Sequence, residues 1–293
     1  MEIAVYIVNM WPAYLPYYDV TKQKVYSFFE IKEAFEYISY SSAIEFDFPQ
    51  GGCQQRAQIM SLILSKIYKI QHSKIWLFAP AALYENNAIT LFVEDKNKLS
   101  PGNIVNWNFH LAPAVRAQNE IGEIDTFIID PSICRKRPLT INEWFSTMGN
   151  SNAGQYSFLT PEYYFFNCKY NLYNELTTVF DGTFFKFMNP VKDNLLMEKG
   201  LAVNDMAMTI YQKYIKPLLL SGKEEDSRQL NDLKEIFGNS TALDLLFSQN
   251  MSGYTENTSH RYIITNYSEI MREAKMKFSD RLIFWTLFVN SLL

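Results

Sequence analysis

WNFHLAPAVRAQNEIGEIDTFIID, residues 107–130, reads as two β-strands, Trp107 to Val115 and Glu123 to Asp130, joined by the short polar turn QNEIG. A turn centred on Glu120 makes positions that sum to 240 face one another, which sets His110 opposite Asp130 and Val115 opposite Asp125. Directly opposed side chains share a sheet face, with Cβ atoms about 4.5 to 5.5 Å apart. That is close enough for a carboxylate to hold one imidazole nitrogen. A slip of one residue would send the two to opposite faces. Pro131 keeps Asp130 extended and ends the strand there.

Outward from this hairpin, Lys74 to Ala79 and Ala88 to Glu94 also read as strands, and the short spacings favour an antiparallel sheet. Phe29 to Tyr40 has helical spacing, and Thr140 with Glu143 three residues on predicts a capped helix. The stretch MGNSNAGQYS reads as a loop. From about Pro190 the patterns become helical only, so the chain is expected to divide into residues 1–189 and a helical module, 190–293. Strands followed by helices fit α+β rather than a doubly wound sheet. The expected architecture is an antiparallel sheet packed on a nucleophile-bearing helix, followed by the helical C-terminal module.

That helix follows FDFPQGGC. Pro49, Gly51 and Gly52 punctuate a turn, and CQQRAQIMSLILSKIY then has apolar residues at helical spacing. Cys53 is therefore placed at a helix N-terminus, where unpaired N–H groups and the helix dipole favour the thiolate. Its own N–H is a candidate donor to an oxyanion, and Gly52 permits close backbone approach. Arg56, one turn on, would support the thiolate or a substrate carbonyl, or form a structural ion pair. Trp107 would line the core or an acyl site. His72 and His260 lie in polar stretches and are expected at the solvated surface. Cys134 and Cys168 have no base nearby in sequence and are expected to be bystanders.

The 293 residues carry 48% hydrophobic and 20% charged residues with a net charge of −4, an ordinary globular composition with no basic field for nucleic acid. Three cysteines without C-x-x-C spacing suggest neither a disulfide framework nor a zinc knuckle. Apolar runs such as Leu282 to Val289 are too short to span a bilayer, and Pro12 and Pro16 interrupt the N-terminus before a leader helix develops. The chain is expected to be soluble, without a standard secretion signal.

With GGCQQRA, WNFHLAP and IIDPS in order, the sequence resembles the bacterial protein-glutaminase (protein-glutamine deamidase) family. The matching residues are Gly52, Cys53, Arg56 and Ala57; Trp107, His110, Ala112 and Pro113; Asp130, Pro131 and Ser132; and, downstream, Trp144. The resemblance implies a transglutaminase-like, papain-related fold with a triad of Cys53, His110 and Asp130. It also implies hydrolysis of the glutamine side-chain amide in a protein or peptide through a thioester, with neither metal nor cofactor. A transglutaminase, a cysteine peptidase, or a non-catalytic binding protein with the helical tail as docking module are the competing readings. The helical stretch has no counterpart in the resemblance. It would suit a bacterial effector, exported by a specialised system, that acts on a host protein.

Overall fold

A computed structural model describes residues 18–83, 87–119, 121–169, 181–248 and 258–293. The expectations for Pro12, Pro16, the turn centre at Glu120 and the side chain of Cys168 lie outside the described residues. The elements run β1 (Tyr26–Ser27), α1 (Phe28–Tyr40), α2 (Cys53–Lys66), β2 (Ser73–Phe78), α3 (Pro80–Leu83), β3 (Leu91–Glu94), β4 (Ile104–Trp107), β5 (Phe109–Gln118), β6 (Ile124–Ile128), β7 (Leu139–Thr140) and α4 (Ile141–Ser146). There follow β8 (Gln155–Leu159), β9 (Tyr163–Lys169), β10 (Asp181–Lys186), α5 (Leu196–Ile210), α6 (Lys216–Ser221), α7 (Ser227–Phe237), α8 (Ser240–Leu243), α9 (Thr258–Asn266) and α10 (Ser268–Leu292). The class is mixed α+β, an antiparallel sheet with helices and then long C-terminal helices.

Two compact units share the chain. The first holds residues 1–43, 56–93 and 106–188, the second 44–55, 94–105 and 189–293. The chain thus changes unit near residue 189, but two earlier stretches also join the helical unit. The physical reason is burial: Phe48 and Leu99, one from each stretch, are wholly enclosed in a core with Met206, Ile210, Leu233, Ile236 and Phe237.

In the first unit the sheet order is β7-β6-β5-β2-β8, all antiparallel, with β1 added in parallel to the end of β5. The inner strand β2, between β5 and β8, is buried along its whole length, as a strand covered on both faces must be. Ile75 and Leu77 join Ala112, Ala114, Ile128 and Trp144 on one face. Trp76 and Phe78, which alternation sends to the other face, meet Phe109, Phe166 and Phe184. Lys74 is fully buried beside them, and its ammonium donates to Gln58 Oε1 and to the Tyr163 carbonyl at 2.9 Å. Burial pushes its pKa well down. Helix α1 starts at a capping box, Ser27 with Glu30, and α4 at the one expected, Thr140 with Glu143.

The hairpin register differs from the sequence expectation. Ala114 pairs with Ile128 and Ala117 with Asp125, so facing positions sum to 242 rather than 240. The turn is centred one residue later because Asn119 organises it: its side-chain oxygen accepts from the N–H groups of Ile121 and Glu123, and Gly122 takes the left-handed conformation at φ 89°. A shift of two preserves the face, so His110 and Asp130 stay on the same side as diagonal rather than direct neighbours. The expected pairing of Asp125 with Val115 is corrected to Ala117. The loop reading of MGNSNAGQYS is corrected at its end, where Gln155 starts β8.

In the second unit α5 and α10 pack side by side. Asp205 on α5 accepts from Arg281 Nε at 2.6 Å and Trp285 Nε1 at 2.7 Å on α10. Between α5 and α6 the helix widens into a π-turn at Tyr211–Ile215, just ahead of Pro217, whose missing N–H and bulky ring disturb the regular ladder. Among the described residues no helix is long and apolar enough to cross a membrane.

Candidate active site

Sheet alternation delivers His110 to the Leu77 face, where it is 1% exposed. Its Nε2 lies 2.8 Å from Asp130 Oδ2. The same oxygen accepts from Trp144 Nε1 at 2.8 Å, and the other carboxylate oxygen accepts from Ser132 Oγ. Burial pushes the Asp130 pKa upward, but the charge and hydrogen bond of His110 and the bonds from Ser132 and Trp144 outweigh it, and the carboxyl is held below its usual value. A buried carboxylate with three donors stays ionised and fixes both its ring partner and its own orientation.

Two indoles flank the imidazole. Trp107 stacks on it at 4.5 Å between ring centres and 12° between planes, Trp144 at 5.5 Å and 24°. Trp144 therefore does two things, packing against the base and holding the carboxylate. Its helix α4 is short and is fixed by Glu143, which closes the cap on Thr140 and pairs with Arg137 at 2.6 Å. The Arg137 bond first, then the Thr140 N–H, lowers the Glu143 carboxyl to about 2.

Cys53 is the first residue of α2, carries a free thiol and is partly exposed. Gly52 before it has φ 82°, a left-handed backbone that favours glycine. Gly52 and Cys53 belong to the second unit; Arg56, His110, Asp130, Trp107 and Trp144 belong to the first. Arg56 is buried, 2% exposed.

The remaining histidines depart from expectation. His72 is buried, with Nδ1 bonded to the Ile70 carbonyl at 3.0 Å, and burial lowers its pKa to about 4. His260 is buried as well, its Nε2 lying 3.1 Å from Glu235 Oε1. Polar neighbours in sequence misplaced both, because β2 begins directly after His72 and α9 turns His260 inward. Cys134 is a free, partly buried thiol in the turn after Asp130. The bonds of Ser132 and Trp144 to Asp130 were not read from sequence. The Asp-Pro-Ser turn was a usable signal for the first, since a hydroxyl two residues after an Asp can return to it. Among the described residues no group of acidic, His and Cys side chains is arranged to hold a metal ion.

Residues 25–148 match the model of the family described as Glutaminase. Among solved structures, the chain is similar to the protein-glutaminase from Chryseobacterium proteolyticum at 19% identity, covering 60% of this chain and 87% of that one, with a TM-score of 0.42. A pro-protein-glutaminase crystal structure aligns at 20% identity over 61% of this chain and 59% of its own, with a TM-score of 0.43. A protein-glutaminase crystal structure aligns at 20% identity over 59% and 82%, with a TM-score of 0.39. No curated protein matches the sequence. Over residues 25–148, a stretch that includes Cys53, His110 and Asp130, the chain resembles the family described as Glutaminase.

Proposed function

We propose that this protein hydrolyses the side-chain amide of glutamine in a protein or peptide, leaving glutamate and releasing ammonia, with Cys53 as nucleophile, His110 as base and Asp130 as its orienting carboxylate. The observation that carries the reading is the buried His110–Asp130 pair within a segment that matches a glutaminase family. Asp130 engages Nε2, so proton exchange runs through Nδ1 of the ring. The Cys53 thiolate attacks the carboxamide carbon, and the Cys53 N–H at the head of α2 donates to the oxyanion. His110 protonates the departing ammonia; it then takes a proton from the water that hydrolyses the thioester. Trp107 and Arg56 are proposed to line the substrate side of this site. The region before residue 190 carries the chemistry on this reading.

The test uses wild-type protein and Cys53→Ala with glutamine-containing peptides and proteins, without added amine. Ammonia release with a gain of about one mass unit per glutamine, lost in the variant, is expected. Backbone fragments would replace the reading with a peptidase, and crosslinks with a transglutaminase. Ammonia release that persists in Cys53→Ala would remove the nucleophile assignment.

A further inference from the structure

The loop that delivers Cys53 meets other parts of the second unit at Gln50, Gly51 and Gly52, and the first turn of α2 does so at Gln55. Gln50 Nε2 donates to Asp95 Oδ2 at 2.7 Å and to Ser100 Oγ at 3.1 Å. Asp95, 1% exposed, also accepts the N–H groups of Ser100 at 2.7 Å and Asn97 at 3.0 Å, so the anchor is itself rigid. A Cβ on Gly51 would lie 2.8 Å from Ser240 Cβ. A Cβ on Gly52 would meet the Asn204 carboxamide, with Oδ1 at 2.9 Å and Cγ at 3.0 Å. One turn earlier on α5, Gly200 leaves room for Gln55, whose Cγ would lie 2.6 Å from a Cβ there.

Asn204 is the least expected member. It is 3% exposed, and among the described residues its amide nitrogen has no hydrogen-bond partner. A buried amide nitrogen without a partner is unfavourable. What the amide does have is contact with the peptide immediately before Cys53, where the left-handed Gly52 sets the direction of the Cys53 N–H. We propose that Asn204 is a positioning residue for Cys53, seating the Gly52 peptide so that the thiol and its N–H are presented at the start of α2. The inference rests on Cys53 being the nucleophile. It assigns part of that site's construction to helices beyond residue 148, where the family match ends.

The experiment compares full-length wild type with Asn204→Ala and Asp95→Asn. Iodoacetamide labelling of Cys53 is followed by peptide mass spectrometry, with Cys134 as the internal reference. Thermal midpoint, kcat and KM are measured on the same samples. Asn204→Ala removes the unpartnered amide nitrogen and places the strongest helix former in α5, so the helix is expected to form. The expected result is a Cys53-to-Cys134 labelling ratio about 10- to 100-fold lower in both variants, with kcat falling in proportion and KM little changed.

An unchanged ratio in Asn204→Ala overturns the proposal, whatever Asp95→Asn shows. So does a parallel change at both cysteines with a collapsed midpoint, which marks a purely structural role. Labelling needs no substrate, so the two readings fail separately. Cys53-dependent deamidation with an unchanged ratio keeps the function and removes the Asn204 role. An Asn204-dependent ratio without ammonia release does the reverse.

Discussion

His110 and Asp130 were legible in the sequence as a pair on one sheet face, and the physical reason survives the error in register. Side-chain direction has a period of two, so the observed shift of two residues preserved the face. The same pairing predicts a large effect of a small change. Asp130→Asn keeps the shape but removes the charge that stabilises the imidazolium; turnover should fall by two orders of magnitude or more. A stopped assay of ammonia release checks this, and a loss below tenfold would contradict the orienting role. His72 was not legible, because burial is decided by where β2 packs rather than by neighbouring letters. Its pKa is lowered from 6.5 to about 4, so between these values the unfolded chain binds the extra proton and the folded chain does not. Stability is therefore fully present above pH 6.5 and is lost as pH falls toward 4, by about 3 kcal/mol from this group. Thermal midpoints from pH 7 to 4 should fall more steeply for wild type than for His72→Gln.

Elements were most readable where a local chemical signal closes them. The α4 cap, Thr140 with Glu143, is such a case, and the helix it starts carries Trp144 to both His110 and Asp130. Thr140→Ala should cost about 1 kcal/mol of stability. If α4 positions the carboxylate, turnover should fall with it, which melts and ammonia release measured on one sample would reveal. Strand β8 was missed because its first residues follow a Gly/Asn-rich stretch, and its placement comes from pairing with β2, a long-range fact. The aromatic strands β9 and β10 were missed for a related reason: Phe166 and Phe184 are fixed by ring contacts to Trp76 and Phe78 across the sheet. Such contacts leave no periodic trace. The π-turn before Pro217 likewise looks like continuous helix in sequence, and only the proline marks where the ladder must widen.

For the whole molecule, the chain changes unit near residue 189, and residues 44–55 and 94–105 belong to the second unit as well, a membership the sequence pattern did not announce. Their apolar content is too sparse to announce a partner; Phe48 and Leu99 acquire one only when α5 and α7 supply it. Gly238, after α7, sits so close to the Leu99 carbonyl that a Cβ would lie 2.6 Å from it, which fixes the second stretch further. Residues of α5, α7 and α8 thus pack on the stretch that leads to Cys53. A chain ending at residue 189 would expose Phe48 and Leu99, at roughly 2 kcal/mol each, and would lose the packing of Asn204 and Ser240 on the loop. Its Cys53 should label no faster than Cys134, and deamidation should be absent even if the sheet retains strand signal by circular dichroism. A truncated chain that deamidates at the full-length rate would show that the loop before Cys53 holds its conformation without the helices.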